Sequence, residues 1–64
     1  MNLWLSELGY TQRGPHWYSP DNKMSWTQYD DVWGLHIERK GYADYMLFKI
    51  ETKQDLITIL RLVL

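Results

Sequence analysis

The spacing of apolar positions changes twice along the 64 residues, from helical to alternating and back to helical. Near the N-terminus Trp4, Leu5 and Leu8 recur at three- and four-residue steps, which is the period of one helix face. Asn2 can cap the first turn, and Gly9 stands where a left-handed residue ends a helix. The spacing predicts a short helix over residues 3–8. So few residues cannot hold a helix alone, so Trp4, Leu5 and Leu8 must dock on the rest of the chain. Residues 11–15 then read as a polar connection broken by Gly14-Pro15.

From His16 the period becomes two. Ser19-Pro20-Asp21-Asn22-Lys23 is a turn, because proline sets φ and the Asp and Asn side chains bond back to the backbone. Taking residues 20–23 as the loop pairs Trp17 with Trp26 and Ser19 with Met24. Asp30-Asp31 is the next break, and a tight turn there pairs Trp26 with Leu35 and Met24 with Ile37. Asp-Asp is not a preferred hairpin pair, so a looser turn is also open here. A third turn at Lys40-Gly41-Tyr42-Ala43 pairs Ile37 with Met46, Leu35 with Phe48 and Trp33 with Ile50. Three separately placed turns thus send Trp17, Met24, Trp26, Trp33, Leu35, Ile37, Met46, Phe48 and Ile50 to one face. A slip of one residue at any turn would destroy that agreement. The prediction is a four-stranded antiparallel meander in the order 1-2-3-4.

Thr52-Lys53-Gln54-Asp55 has the form of a capping box, with Asp in place of the usual Glu or Gln. In the run that follows only Asp55, Thr58 and Arg61 are polar, and they recur every third residue. Steps of three confine them to an arc of about 120°, leaving some two-thirds of the helix circumference apolar. Covering one sheet face needs a stripe of little more than ~100°. The expected fold is therefore α+β: a short N-terminal helix, the meander, and a C-terminal helix packed on one sheet face, all in one domain over 1–64. The surplus apolar arc calls for a second partner. Leu60, Leu62, Val63 and Leu64 are the candidates for self-association as a homodimer, the commonest closed arrangement.

Composition sharpens that expectation. A chain this short has a thin stability margin. With no cysteine it can draw on neither a disulfide nor a Cys-based metal site. Four Trp, five Tyr and self-association are what remain. Seven basic against eight acidic residues give a net charge of −1. That balance disfavours a protein that works by covering a phosphate backbone, though it does not exclude a nucleic acid as ligand. Glu7 interrupts any apolar leader, and the C-terminal run is too short to span a bilayer. No membrane association is expected, and the absence of cysteine fits a cytoplasmic setting.

The same pairing places a mixed set on the outer sheet face: one row of Tyr18, Ser25, His36 and Leu47, and a second of His16, Thr27, Gly34 and Lys49. Tyr29 and Val32 fall at one end, Glu38 and Tyr45 at the other. An exposed face of this kind is where binding is expected, and Tyr18, His36, Tyr45, Leu47, His16 and Lys49 are its candidates. Sheets also carry Thr, Tyr and Lys outward for strand propensity alone.

Other chemistries find less support. His16 and His36 have acidic residues in the chain but no third ligand placed beside both, so no metal is expected. Ser25 faces His36 with Glu38 two residues on, a pairing that sheets produce by accident as readily as by catalysis. No phosphate-cradling glycine loop follows a strand, and no cofactor is implied. Trp17 and Trp26 could clamp a base or a sugar, but both point with the core residues. A helix ending in Leu8-Gly9-Tyr10, a meander and a capped apolar helix resemble the architecture of many small stand-alone proteins of phages and mobile elements. Fold-level likeness of that sort carries no function.

The expected function is that of a non-enzymatic protein-binding module, a small regulator or inhibitor acting by surface occupation. The alternative is a binder of nucleotide or single-stranded nucleic acid through Arg13, His16, Tyr18, Lys23, His36 and Lys49.

Overall fold

The computed structural model describes residues 1–64. It is α+β, with elements in the order α1 (Asn2–Glu7), β1 (Thr11–Arg13), β2 (His16–Tyr18), β3 (Met24–Tyr29), β4 (Val32–Arg39), β5 (Tyr42–Phe48) and α2 (Lys53–Val63). The strands form one antiparallel sheet in chain order, β1-β2-β3-β4-β5.

The sheet has five strands where the periodicity predicts four. The unforeseen strand is β1, in the stretch expected to be a connection. Thr11, Gln12 and Arg13 are all exposed, so no buried alternate marks them as a strand. Pairing comes instead from the tight turn at Gly14-Pro15, which sets Arg13 opposite His16 and Thr11 opposite Tyr18. Gly14 has φ 59, the positive value that a short hairpin turn demands at its first position.

Both helix ends follow from local chemistry, with one correction. The residue before α1 is Met1 rather than Asn2, and no side chain caps it. At the other end Tyr10 N–H donates to Leu5 O and Gly9 N–H to Ser6 O, with Gly9 at φ 90. Those paired bonds are the Schellman closure, which glycine adopts without a Cβ penalty. The Thr52 capping box forms as read. Asp55 N–H donates to Thr52 Oγ1 at 3.1 Å, and the Asp55 carboxylate accepts from the N–H groups of Thr52 and Glu51, each at 3.1 Å.

The turn between β2 and β3 is held by Ser19 and Asp21. Ser19 Oγ donates to Asp21 Oδ1 at 2.6 Å and accepts from Met24 N–H at 3.1 Å, while Lys23 N–H donates to the same carboxylate at 3.0 Å. Hydrogen bonds from Ser19 and then Lys23 hold the Asp21 pKa below the ordinary aspartate value. Bonds from Glu51 and then Thr52 do the same for Asp55. A carboxyl whose pKa falls on folding contributes stability above its unfolded pKa, near 3.9, and loses it as pH drops through the folded value. The urea midpoint should therefore fall from pH 5 towards pH 2, and Asp55→Asn should flatten that fall. An acid limb that Asp21→Asn and Asp55→Asn together leave unchanged would contradict this origin.

Trp17 lies opposite Trp26, Trp26 opposite Leu35 and Met24 opposite Ile37, as the turns predict. The last hairpin differs. Its loop is only Lys40-Gly41, with Gly41 at φ 87, so Arg39 pairs with Tyr42. Every pair is thereby displaced two residues from the expected register: Ile37 meets Asp44, Leu35 meets Met46 and Trp33 meets Phe48. An even shift leaves every side chain on its face, so alternation alone could not distinguish the two registers.

The inward alternates are the core. Leu5, Trp17, Met24, Trp26, Trp33, Leu35, Ile37 and Leu56 form one buried cluster, and Met46, Phe48, Ile50, Ile59, Leu60 and Val63 are partly buried against it. Each helix thus contributes one fully buried leucine. The accessible surface is 4430 Å², about the 4,400 Å² expected for a chain of this mass. Leu62 and Leu64 nevertheless remain 81% and 87% exposed. That apolar exposure is therefore local and does not reflect a loosely folded chain. No helix is long and apolar enough to cross a membrane.

Candidate binding surface

The strand residues that alternate with the core point to the other side of the sheet. The register brings Thr11 and Arg13 of β1, His16 and Tyr18 of β2, Ser25, Thr27 and Tyr29 of β3, Val32, Gly34 and His36 of β4, and Tyr45 and Leu47 of β5 onto it. Four of the six candidate binding residues keep or improve their place. Tyr18, His36 and His16 sit where the pairing predicts. Tyr45 moves from the end of the face to the middle of its strand, directly opposite His36.

The two-residue shift relocates the others. Leu47 stands opposite Gly34 instead of extending the row of His36. Lys49 falls beyond the end of β5 and shares a shallow depression with Glu51, Asp55, Thr58 and Ile59, so it is removed from the outer row. Glu38 lies opposite Ala43.

Two arrangements give this face its character. At the β1 edge the Arg13 guanidinium carbon lies 3.9 Å from the centre of the Tyr18 ring, and Arg13 also donates to Asn22 Oδ1 at 2.8 Å. On the same face the His16 ring meets Tyr18 edge-on at 6.0 Å, and His16 Nδ1 lies 2.6 Å from Thr27 Oγ1. Tyr18 is thus held between a cation and an imidazole. A ring fixed in this way loses little freedom when a ligand covers it.

The second arrangement is built on Gly34. A Cβ there would overlap the Tyr45 hydroxyl, lying 3.0 Å from Tyr45 Cζ and 2.8 Å from Tyr29 Cε2. The missing side chain is therefore what lets two tyrosines lie over the strand. The neighbouring Tyr29 side chain is the first cause raising the Tyr45 pKa above the ordinary tyrosine value, with desolvation second. A glycine in the middle of a strand is the signal that could have revealed this close approach. The Arg13–Tyr18 stack carried no such signal, because it depends on the unforeseen β1.

Gly34→Ala tests the arrangement. The atoms in the way are ring ends of half-exposed side chains, so they can move. Ala also suits a strand better than Gly by about 0.5–1 kcal/mol. Stability should stay within ~1 kcal/mol of the parent, while the Tyr45 phenol should titrate closer to the ordinary value of about 10. Phenolate absorbance measured against pH reads the difference, and an unchanged titration would argue against the contact.

The remaining chemistry is not assembled. Ser25 and His36 are cross-strand partners, but no hydrogen bond links their side chains to each other or to Glu38. No three His, Asp or Glu side chains gather as ligands for an ion. Trp17 and Trp26 are paired but buried, so they offer no clamp. Of the self-association candidates, Leu60 and Val63 are half-buried against the core, whereas Leu62 and Leu64 are in solvent. Comparison with protein-family models, with curated proteins and with solved structures finds no match to this chain.

Proposed function

We propose that the chain is a non-enzymatic protein-binding module that occupies a partner's surface with the outer face of its sheet. In this reading α2 packs across the inner face, and the outer face is left for the partner. The observation that carries the reading is the set of half-exposed tyrosines on a rigid sheet: Tyr29 and Tyr45 over Gly34, and Tyr18 between Arg13 and His16. Tyrosine offers large contact area with few rotatable bonds and a polar tip, and it is enriched among residues that dominate protein interfaces.

Charge supports a protein partner over a nucleic acid. Of the six residues suited to a phosphate chain, Lys23 lies in a turn and Lys49 beside two carboxylates, and Arg13 is already engaged with Tyr18 and Asn22. The test is capture of partners by the immobilised chain, with and without nuclease, repeated with Tyr18→Ala, Tyr45→Ala and His36→Ala. A stoichiometric, nuclease-resistant protein should be retained by the parent and lost from the tyrosine variants, because truncating such anchors costs ~2 kcal/mol or more. Bound material that disappears with nuclease points to nucleic acid instead. Its affinity should then fall by roughly 0.7 in log K per log salt for each phosphate contacted. Retention unchanged in all three variants would remove the outer face as the site.

A further inference from the structure

The two edges of the sheet are built differently. β1 is short, wholly polar and ends at Gly14-Pro15, all features that discourage a further strand. β5 is seven residues long, Tyr-Ala-Asp-Tyr-Met-Leu-Phe, without proline or lysine. It is the last strand of the sheet, so its far side is unpaired.

Which backbone groups are free follows from the ladder. Glu38 N–H donates to Lys23 O at 2.8 Å, so Glu38 bonds towards β3. Antiparallel bonding alternates along a strand, so Arg39, Ile37, Leu35 and Trp33 bond towards β5. Their partners Tyr42, Asp44, Met46 and Phe48 face β4. The N–H and C=O groups of Ala43, Tyr45 and Leu47 therefore point out of the sheet, and their side chains lie on the outer face.

We propose that β5 pairs antiparallel with β5 of a second copy, in a register centred on Tyr45 and generated by a two-fold axis. Ala43 then meets the partner's Leu47, Tyr45 meets the partner's Tyr45, and Leu47 meets the partner's Ala43. All the free N–H and C=O groups are satisfied reciprocally, and small side chains lie beside large ones. Any centre other than Tyr45 leaves one of the three residues unpaired in each copy. Asp44, the one charge in the strand, brings no repulsion, because Arg39 Nε holds its carboxylate at 2.9 Å.

Helix α2 supplies a second, independent feature. Its first two turns run beside Lys49, just past β5, where Asp55, Thr58 and Ile59 line the shared depression. It ends beside the start of β5, where Arg39 Nη2 donates to Val63 O at 3.1 Å. Leu62 follows Thr58 by four residues and Ile59 by three, so it projects on the same side, towards the free edge and near the level of Asp44. A strand pair centred on Tyr45 brings Leu62 towards the partner's Leu62. The result is a ten-stranded sheet, with the surplus apolar side of α2 covered at the axis.

Sedimentation equilibrium at micromolar concentration should give twice the 7.8 kDa of the chain. Ala43→Pro removes an N–H that β4 does not use, and Leu62→Glu charges the axis. Each should weaken the dimer by at least about tenfold, with far-UV dichroism unchanged. As a register test that tolerates a folding defect in either variant, Tyr45→Cys in this cysteine-free chain should cross-link on mild oxidation, and Thr11→Cys on the other edge should not. A monomeric parent overturns the proposal. So does a dimer that resists Ala43→Pro while Leu62→Glu abolishes it, since that would be a helix-only contact. Equal cross-linking at both edges overturns it as well.

Discussion

Trp26→Ala should leave the chain largely unfolded at room temperature. Trp26 is completely buried, opposite Trp17 on one side and Leu35 on the other, and its ring centre lies 6.1 Å from that of Phe48. Truncating such a residue costs about 3–5 kcal/mol in lost transfer energy and cavity. A domain of this length holds only roughly 3–10 kcal/mol in total. Trp26→Phe should cost far less. Phenylalanine keeps an aromatic ring at this site and gives up only part of the buried volume. Urea denaturation followed by far-UV dichroism would measure both. A loss below about 2 kcal/mol for Trp26→Ala would mean that the core is centred elsewhere.

Leu56→Ala should have the next largest effect and a different signature. Leu56 is the only fully buried residue of α2, as Leu5 is of α1. Removing either side chain should cost about 2–5 kcal/mol. The surface ion pair between Lys53 Nζ and Glu7 Oε2, at 2.7 Å, joins the two helices but is half exposed and contributes less than ~1 kcal/mol. It cannot hold α2 in place of Leu56. Leu56→Ala should therefore reduce helical dichroism more than strand content. Leu62→Ala, at a position 81% exposed, should change monomer stability by no more than about 0.5 kcal/mol. Comparable losses at Leu56 and Leu62 would mean that Leu62 is buried within the monomer.

These effects separate what was legible in the chain from what was not. Local chemistry was readable wherever a residue type has one strong use. Gly9 closes α1, Thr52 and Asp55 box the start of α2, and Ser19 to Lys23 make a turn from their own side chains. The identity of the buried face was readable too, because the β2, β3, β4 and β5 segments place large apolar residues at most of their inward positions, with exceptions such as Gln28 and Asp44, and three turns agree on their phase.

Register and edge pairing were decided by tertiary structure. Alternation repeats every two residues, so it tolerates the two-residue displacement of β5, and only the closure of Lys40-Gly41 selects Leu35 opposite Met46. That choice brings Tyr45 over Gly34 and sends Lys49 away from the face on which the sequence placed it. β1 has no apolar alternate, because an edge strand exposed on both sides needs none, and its hydrogen bonds to β2 are invisible in composition. The Arg13–Tyr18 stack that depends on it was equally hidden. Periodicity and capping act within a few residues, so the sequence alone determined the two helices, the strands from β2 to β5 and their inward face. The outer face is made by backbone pairing between segments distant in the chain, and only the folded sheet determines which side chains meet there.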